Sequence, residues 1–376
     1  MKFLLIYVPN LRFSSFADPF RIYTLKEVLQ RISFPVTVDE NKLYYQIGIR
    51  SHSKGIFYKE AESGKQIGNK RIFWIEPNCL ILNIVFAWEQ AVAKTSEKEV
   101  GMVASHRFPM YKVLNNSLDY IVDFFKTEKG KQLLQMASPG GAGRNKTLNQ
   151  DFFLSSKIYL PSLTEQLKTS ELIELIEDRI ETQIKIIDDY NSLKMGIYNC
   201  MFKENYADYK LKQLAYIVKG DQINNDQLLS NGSYYMMNGG TSPSGYLDSY
   251  NVSENTISIS EGGNSCGYVQ FNSSLFWSGG HCYTIQNVNS ALIENKYLYH
   301  YLKYKEKEMM NLRIGTGLPN IQKKDLENFT ILVPSLLIQR KNLALFEMLD
   351  EKISILTEEL TNLQKQKKYL LCNMFI

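Results

Sequence analysis

Two long stretches of this chain carry apolar side chains at alternating steps of three and four residues. In the first the seam runs Ile173, Ile176, Ile180, Gln183, Ile187, Tyr190, Lys194, Ile197, Met201. In the second it runs Phe346, Leu349, Ile353, Leu356, Leu360, Leu363, Lys367, Leu370, Met374. This spacing predicts two helices, each with a coiled-coil seam sustained over about four heptads. At ~1.5 Å per residue each would be roughly 50–55 Å long. Neither can bury so long a seam against nothing, so the two are predicted to pack on each other as an antiparallel coiled coil. Residues 158–202 and 331–375 align without a gap at an offset of 173. Pro161-Ser162-Leu163 falls on Pro334-Ser335-Leu336, Gln166 on Gln339, Ile180 on Ile353, and Met201-Phe202 on Met374-Phe375. Pro161 and Pro334 cannot sit inside a helix and mark the end of a short strand before each one. Ser162 and Glu165 have the spacing of a capping box; the second copy has Ile338 at the Glu position. Lys194 and Lys367 share one seam position, where a lysine either fixes register or reaches along the helix to solvent.

A mixed segment precedes each helix. The first covers residues 20–157 and the second 206–330, with faint echoes in matching order. Tyr23-Thr24-Leu25-Lys26 resembles Tyr209-Lys210-Leu211-Lys212, Tyr44-Tyr45 resembles Tyr234-Tyr235, and Ser105-His106 resembles Gly280-His281. Short strand-like runs (72–75, 79–85, 256–260, 267–271) alternate with helical patterns (118–136, 296–311), separated by glycine pairs such as Gly239-Gly240, Gly262-Gly263 and Gly279-Gly280. The expected fold class is α+β: two pseudo-repeated globular domains, each followed by a long helix. The expected boundaries are 1–157, 158–205, 206–330 and 331–376. Drift after duplication would spread divergence evenly. Here the helices keep their pattern and the heads do not, which separates a scaffold from two readers.

Composition narrows the class. The chain has 376 residues, 44% of them hydrophobic, with a formal charge of +4. That apolar content excludes a disordered chain, and the mild positive charge permits nucleic-acid binding without demanding it. The five cysteines form no Cys-x-x-Cys pair, so reduced thiols in the cytoplasm are expected. The apolar run before Pro9 is too short for a signal peptide, and no stretch approaches the ~20 residues of a membrane span. The four histidines and three tryptophans are read as packed or hydrogen-bonded structural residues, and no metal site is expected.

The second half contains Asn238-Gly239-Gly240-Thr241-Ser242-Pro243-Ser244-Gly245-Tyr246, then Glu261-Gly262-Gly263-Asn264-Ser265-Cys266-Gly267, then Gly315-Thr316-Gly317-Leu318-Pro319-Asn320 and Pro334-Ser335-Leu336. Val8-Pro9-Asn10-Leu11-Arg12-Phe13 opens the chain in similar style. In this order, and with the helix repeat, the chain resembles the specificity subunits of type I restriction–modification systems. The resemblance implies two target-recognition domains, each reading one half of a bipartite DNA site, with the helices spacing them. It implies double-stranded DNA, methylation subunits in two copies, and restriction–translocase subunits as partners, a cytoplasmic location, and no membrane. No cofactor is implied on this chain; S-adenosylmethionine, ATP and Mg²⁺ are implied on the partners. The first domain departs from the pattern, since it lacks the Asn-Gly-Gly and Gly-Gly-Asn loops.

Phosphate contacts call for Lys, Arg and backbone amides at glycine loops, and base edges for Arg, Lys, Asn, Gln, Ser or Thr. In the first domain the candidates are Arg50, His52, Lys54, Lys70 and Arg71, with Lys59 and Lys65 in the same basic stretch, and Arg144, Asn145 and Lys146 behind a glycine run. In the second they are Asn238, Gly239, Gly240, Thr241, Ser242, Ser244, the Glu261-to-Ser265 loop with Gly262, Gly263 and Asn264, and Arg313, Thr316, Asn320 and Lys323. No catalytic residue is expected. The chain lacks a phosphate-binding Gly-x-x-x-x-Gly-Lys loop, a nucleophile elbow and a His-Glu-x-x-His motif. A nuclease with an unrecognised site and a coiled-coil protein–protein adaptor are the alternative readings.

Overall fold

The computed structural model describes residues 8–140, 146–202, 206–315, 317 and 319–376. They form two compact units, one comprising residues 1–183 with 359–376, the other 184–358. The units cut across the four sequence segments. Each takes one head and half of each long helix, because the helices, Leu163–Met201 and Leu336–Asn373, run antiparallel. In the first unit the start of the first helix pairs with the end of the second: Gln183 donates to Glu359 at 3.0 Å, and Lys367 meets Glu177 at 2.6 Å. In the second unit Lys194 pairs with Asp350. Lys194 and Lys367 are equivalent under the offset of 173, and so are Glu177 and Asp350. One ion pair is therefore made twice, and both lysines are held by a carboxylate of the facing helix.

The seam positions all face inward. Ile173, Phe346, Leu349 and Leu356 are buried, and Ile176, Ile180, Ile187, Tyr190, Ile197, Ile353, Leu360, Leu363 and Leu370 are partly buried. The flanking positions are mostly exposed, as amphipathic spacing dictates.

In the first unit strand Arg21–Thr24 pairs antiparallel with Lys157–Leu160, Arg21 opposite Leu160. In the second, Ala207–Lys210 pairs with Thr330–Val333, Ala207 opposite Val333. Each head then holds a four-stranded antiparallel sheet. The first runs Leu29–Ile32, Met110–Val113, Leu80–Leu82, Val92–Lys94. The second runs Tyr216–Lys219, Cys282–Gln286, Thr256–Ser260, Val269–Asn272. The strands follow the same order in both, so the sheets are equivalent strand for strand.

The helix ends close the cores. Phe375 packs on Tyr120 at 4.7 Å in the first unit, and Phe202 on Tyr297 at 5.5 Å in the second. Gln166 Nε2 donates to the Pro161 carbonyl and its Oε1 accepts from Ser117 N–H. Gln339 repeats this with the Pro334 carbonyl and Glu294 N–H. These polar groups are buried and would be costly without partners. The pairing aligns Ser117 with Glu294, and so places Asp123 and His300 at equivalent points of the two head helices.

Three local expectations change. The helix expected over 118–136 is two, Leu118–Lys126 and Glu128–Met136. Thr127 breaks it by capping the second, accepting from Gly130 N–H at 3.1 Å, while Gln90 Nε2 takes the freed carbonyls of Phe125 and Thr127. The helix expected over 296–311 divides at Lys305 into Asn295–Tyr304 and Glu306–Met310. The capping box forms by half. Ser162 Oγ accepts from Glu165 N–H at 3.4 Å, but the Glu165 carboxylate accepts from two guanidinium nitrogens of Arg12, each at 2.7 Å. That hydrogen bond raises the Arg12 pKa, against the opposing effect of burial. Ile338, at the matching position, carries no carboxylate to make such a pair.

Candidate nucleic-acid interface

Arg50, His52 and Lys54 lie on a tight turn between strands Ile47–Ile49 and Ile56–Tyr58. His52, Ser53 and Gly55 all have positive φ, and the turn is pinned by His52 N–H to the Glu89 carbonyl and Ser53 N–H to the Gln90 carbonyl. Arg50 stacks over Phe57 at 5.2 Å. His52 and Lys54 line a cavity of about 750 Å³ against the helix pair. Its wall mixes lysines with Glu99, Asp123 and Glu177, so it is not a cationic phosphate site. Burial pushes the Asp123 carboxyl up to about 6 even beside Lys126. Burial works against the Lys126 cation, but Asp123 and Glu177 outweigh it and raise its pKa.

The structure does not bring Lys70 and Arg71 to that turn. Lys70 lies 3.8 Å from Glu62. Arg71 lines a separate cavity of about 260 Å³ with Arg31, His106, Gln150, Phe73 and Phe108. Neither Arg31 nor His106 was among the DNA-contact candidates read from sequence. His106 N–H donates to the Arg71 carbonyl at 3.3 Å, while Arg31 comes from the edge strand of the four-stranded sheet. Lys146 sits over Trp88 at 5.0 Å. Arg144, Asn145 and Thr316 lie outside the described residues.

In the second head Asn238, Gly239, Gly262, Gly263 and Asn320 converge on one cavity of about 460 Å³, joined by Lys219, Glu261, His281 and Pro319. Gly262 bridges to Asn320, and Gly263 N–H donates to the Pro319 carbonyl at 3.0 Å. Gly239 and Gly263 both have φ of +75°, which only glycine adopts freely. A Cβ on Gly239 would also stand 3.2 Å from His281 Cβ. Gly279 and Gly280 serve packing instead: a Cβ on either would fall within 2.5 Å of Met236 or Gln222. Thr241, Ser242 and Ser244 are exposed on the turn between strands Tyr234–Met237 and Gly245–Leu247, with Gly240 half-buried on it. Asn264, Arg313 and Lys323 are exposed outside the cavity, Lys323 beside Glu327 at 3.8 Å.

Glu261 is the residue that sequence reasoning undervalued. Its Oε1 accepts from Lys219 at 2.6 Å and from the Tyr283 hydroxyl at 3.0 Å. Burial, and then the adjacent Glu261 charge, raise the Tyr283 pKa, so the phenol stays a donor. The two cavities occupy one corner of the duplicated sheet, at the end of its first strand and the start of its second. Ile32 and Phe108 line the first cavity, and Lys219 and His281 line the second.

The histidine expectation holds for one of four. His300 is buried, its Nδ1 2.7 Å from the Tyr198 hydroxyl, and burial drives its pKa down to about 3. His52, His106 and His281 are exposed, since each lies on a loop where no second element covers it. The tryptophans are half-buried rather than core. Among the described residues no group of three or more His, Cys, Asp or Glu side chains is placed to hold a metal, and no helix is long and apolar enough to cross a membrane.

Residues 203–365 match the family described as the type I restriction modification DNA specificity domain. A putative type I specificity subunit of Mycoplasma pneumoniae is 33% identical over 155 residues, covering 41% of each chain. One from Mycoplasma genitalium is 31% identical over 127 residues, 34% of this chain and 33% of that one. The matched stretches thus span 41% and 33% of these relatives. The crystal structure of a type I restriction–modification S subunit from M. genitalium superposes over 98% of this chain and 99% of that one, with a TM-score of 0.67 at 15% identity. The specificity-subunit fold therefore extends over both heads and both helices.

Proposed function

We propose that the chain is the DNA sequence-recognition subunit of a type I restriction–modification complex, reading one half of a bipartite site with each head. The observation that carries this reading is the contrast between scaffold and corner cavities. The scaffold contacts repeat side chain for side chain, from Gln166 and Gln339 to the doubled lysine–carboxylate pair. The cavities at the equivalent sheet corners differ in chemistry: Arg31, Arg71 and His106 in the first head, Lys219, His281 and the carboxylate of Glu261 in the second. A duplicated frame with two different mouths suits two different half-sites. Candidate base contacts are Arg71, Asn238 and Asn320 at the cavities, and candidate phosphate contacts are Arg50, Lys146, Arg313 and Lys323.

Partner subunits would supply the chemistry, a methyltransferase using S-adenosylmethionine and an ATP-dependent, Mg²⁺-requiring translocating nuclease. Leu175 and Met348 occupy the same repeat position, and both are exposed apolar residues on the helices. Equivalent exposed positions suit the docking of two copies of one methylation subunit. A cytoplasmic location follows from access to the genome. The test is methylome sequencing of a host expressing the chain with its methylation partner. A two-part adenine-methylated motif with an unspecified gap is expected, and exchange of residues 20–157 should alter one half only. A continuous motif, or DNA cleavage by the purified chain with Mg²⁺ alone, overturns the reading.

A further inference from the structure

Glu261 presents an unusual arrangement. Its side chain is 10% exposed. Oε1 is fully served by Lys219 and Tyr283, while Oε2 is buried and has no hydrogen-bond partner. His281 Nδ1 stands 3.5 Å from Oε2. A buried carboxylate oxygen left without a donor is costly, and such orphans persist where function requires them. The covering imidazole is not packed in place, being 60% exposed. Only its backbone is held, the N–H by Asn238 Oδ1 at 2.9 Å and the carbonyl by Glu261 N–H at 2.9 Å. Rotation of the His281 side chain would open Oε2 to the glycine-lined cavity without disturbing the sheet.

We propose that Glu261, gated by His281, is a specificity-determining residue of the second head, and that it accepts a hydrogen bond from an exocyclic amino group on a base edge, adenine N6 or cytosine N4. This rests on the DNA-recognition reading above. Three features support it. A carboxylate repels phosphate, so its place at a DNA-facing cavity fits a base edge rather than the backbone. Lys219 balances its charge through the other oxygen, which lowers the cost of bringing it to a polyanion. The glycines at 239, 262 and 263 leave the cavity rim without side chains, so a base edge can approach closely. The equivalent corner of the first head carries Arg31, Arg71 and His106, donors in place of an acceptor.

The experiment is selection from a randomised duplex library by the full chain assembled with the methylation subunit of its own system, comparing wild type, Glu261→Gln and His281→Ala. Glu261→Gln should lose about 10- to 100-fold of discrimination at one position of one half-site, leaving the other half intact as a folding control. Replacing adenine or cytosine at that position by its analogue lacking the amino group should weaken the wild type by a similar factor and leave Glu261→Gln nearly unaffected. His281→Ala should change the same position. If wild type selects a two-part motif but neither variant alters one position, or the analogue weakens wild type and Glu261→Gln equally, the inference fails while the DNA-recognition reading stands. If wild type selects no motif, the underlying reading itself fails.

Discussion

Replacing Arg12 with Met should destabilise the first unit far more than a surface ion pair would. Arg12 Nε and one terminal nitrogen donate to the two oxygens of Glu165, both at 2.7 Å, and the side chains are 12% and 4% exposed. A third bond from the guanidinium reaches the Asp18 carbonyl at 2.6 Å, and the group covers the Phe20 ring at 5.3 Å. An exposed pair would contribute at most about 1 kcal/mol. Here the loss of Arg12 leaves a carboxylate buried without a cation, which costs about 3–5 kcal/mol. Met retains most of the contact with Phe20, so the charge effect is isolated. Removing both partners as Arg12→Met with Glu165→Met leaves no buried charge and should recover about 2 kcal/mol or more. The assay is urea unfolding followed by hydrogen exchange at amides of the first unit, because a two-unit chain need not unfold in one step. A loss below about 1 kcal/mol for Arg12→Met, or additive single and double variants, would refute the assignment of a buried, coupled pair.

Phe202→Ala and Phe375→Ala should each cost about 3–5 kcal/mol, from the cavity left in the aromatic cluster each one fills. Hydrogen exchange should place the first loss in the second unit and the second loss in the first. The units should respond to acid in opposite senses. Asp123 has a folded pKa raised to about 6, so it contributes stability at low pH that is lost as pH rises from about 4 through 6. His300, lowered from 6.5 to about 3, contributes stability above 6.5 that is lost as pH falls through 3. Unit-resolved exchange between pH 4 and 7 checks both, and Asp123→Asn should flatten the first profile only. Lys194→Glu should weaken the helix pairing beside Asp350, and Asp350→Lys in the same chain should restore part of the loss. A thermal-melting cycle that shows no coupling would place the pair outside the energetics of the seam.

The scaffold was legible in the sequence because helical geometry is local. A seam at steps of three and four names its own buried face, so each of the positions from Ile173 to Leu370 points inward as its spacing requires. The gapless offset likewise foretold that Gln166 and Gln339 would do the same work. The two head helices were misjudged for an equally physical reason. Thr127 could have continued a helix, and it stops one only because Gln90, far away in sequence, takes the carbonyls that the break releases. Glu165 had the spacing of a cap, yet its carboxylate goes to Arg12, 153 residues earlier.

The chain by itself determined that there are two copies of a strand-and-helix scaffold with two divergent α+β heads, since repeats and amphipathic periods are properties of neighbouring residues. The tertiary structure alone decided where the heads differ in chemistry. Arg31, Arg71 and His106 share no linear pattern, nor do Lys219, Glu261 and His281. Each set is assembled by strands that pair across long loops, and a hydrogen-bonded sheet brings residues together by register, which no local rule of sequence encodes.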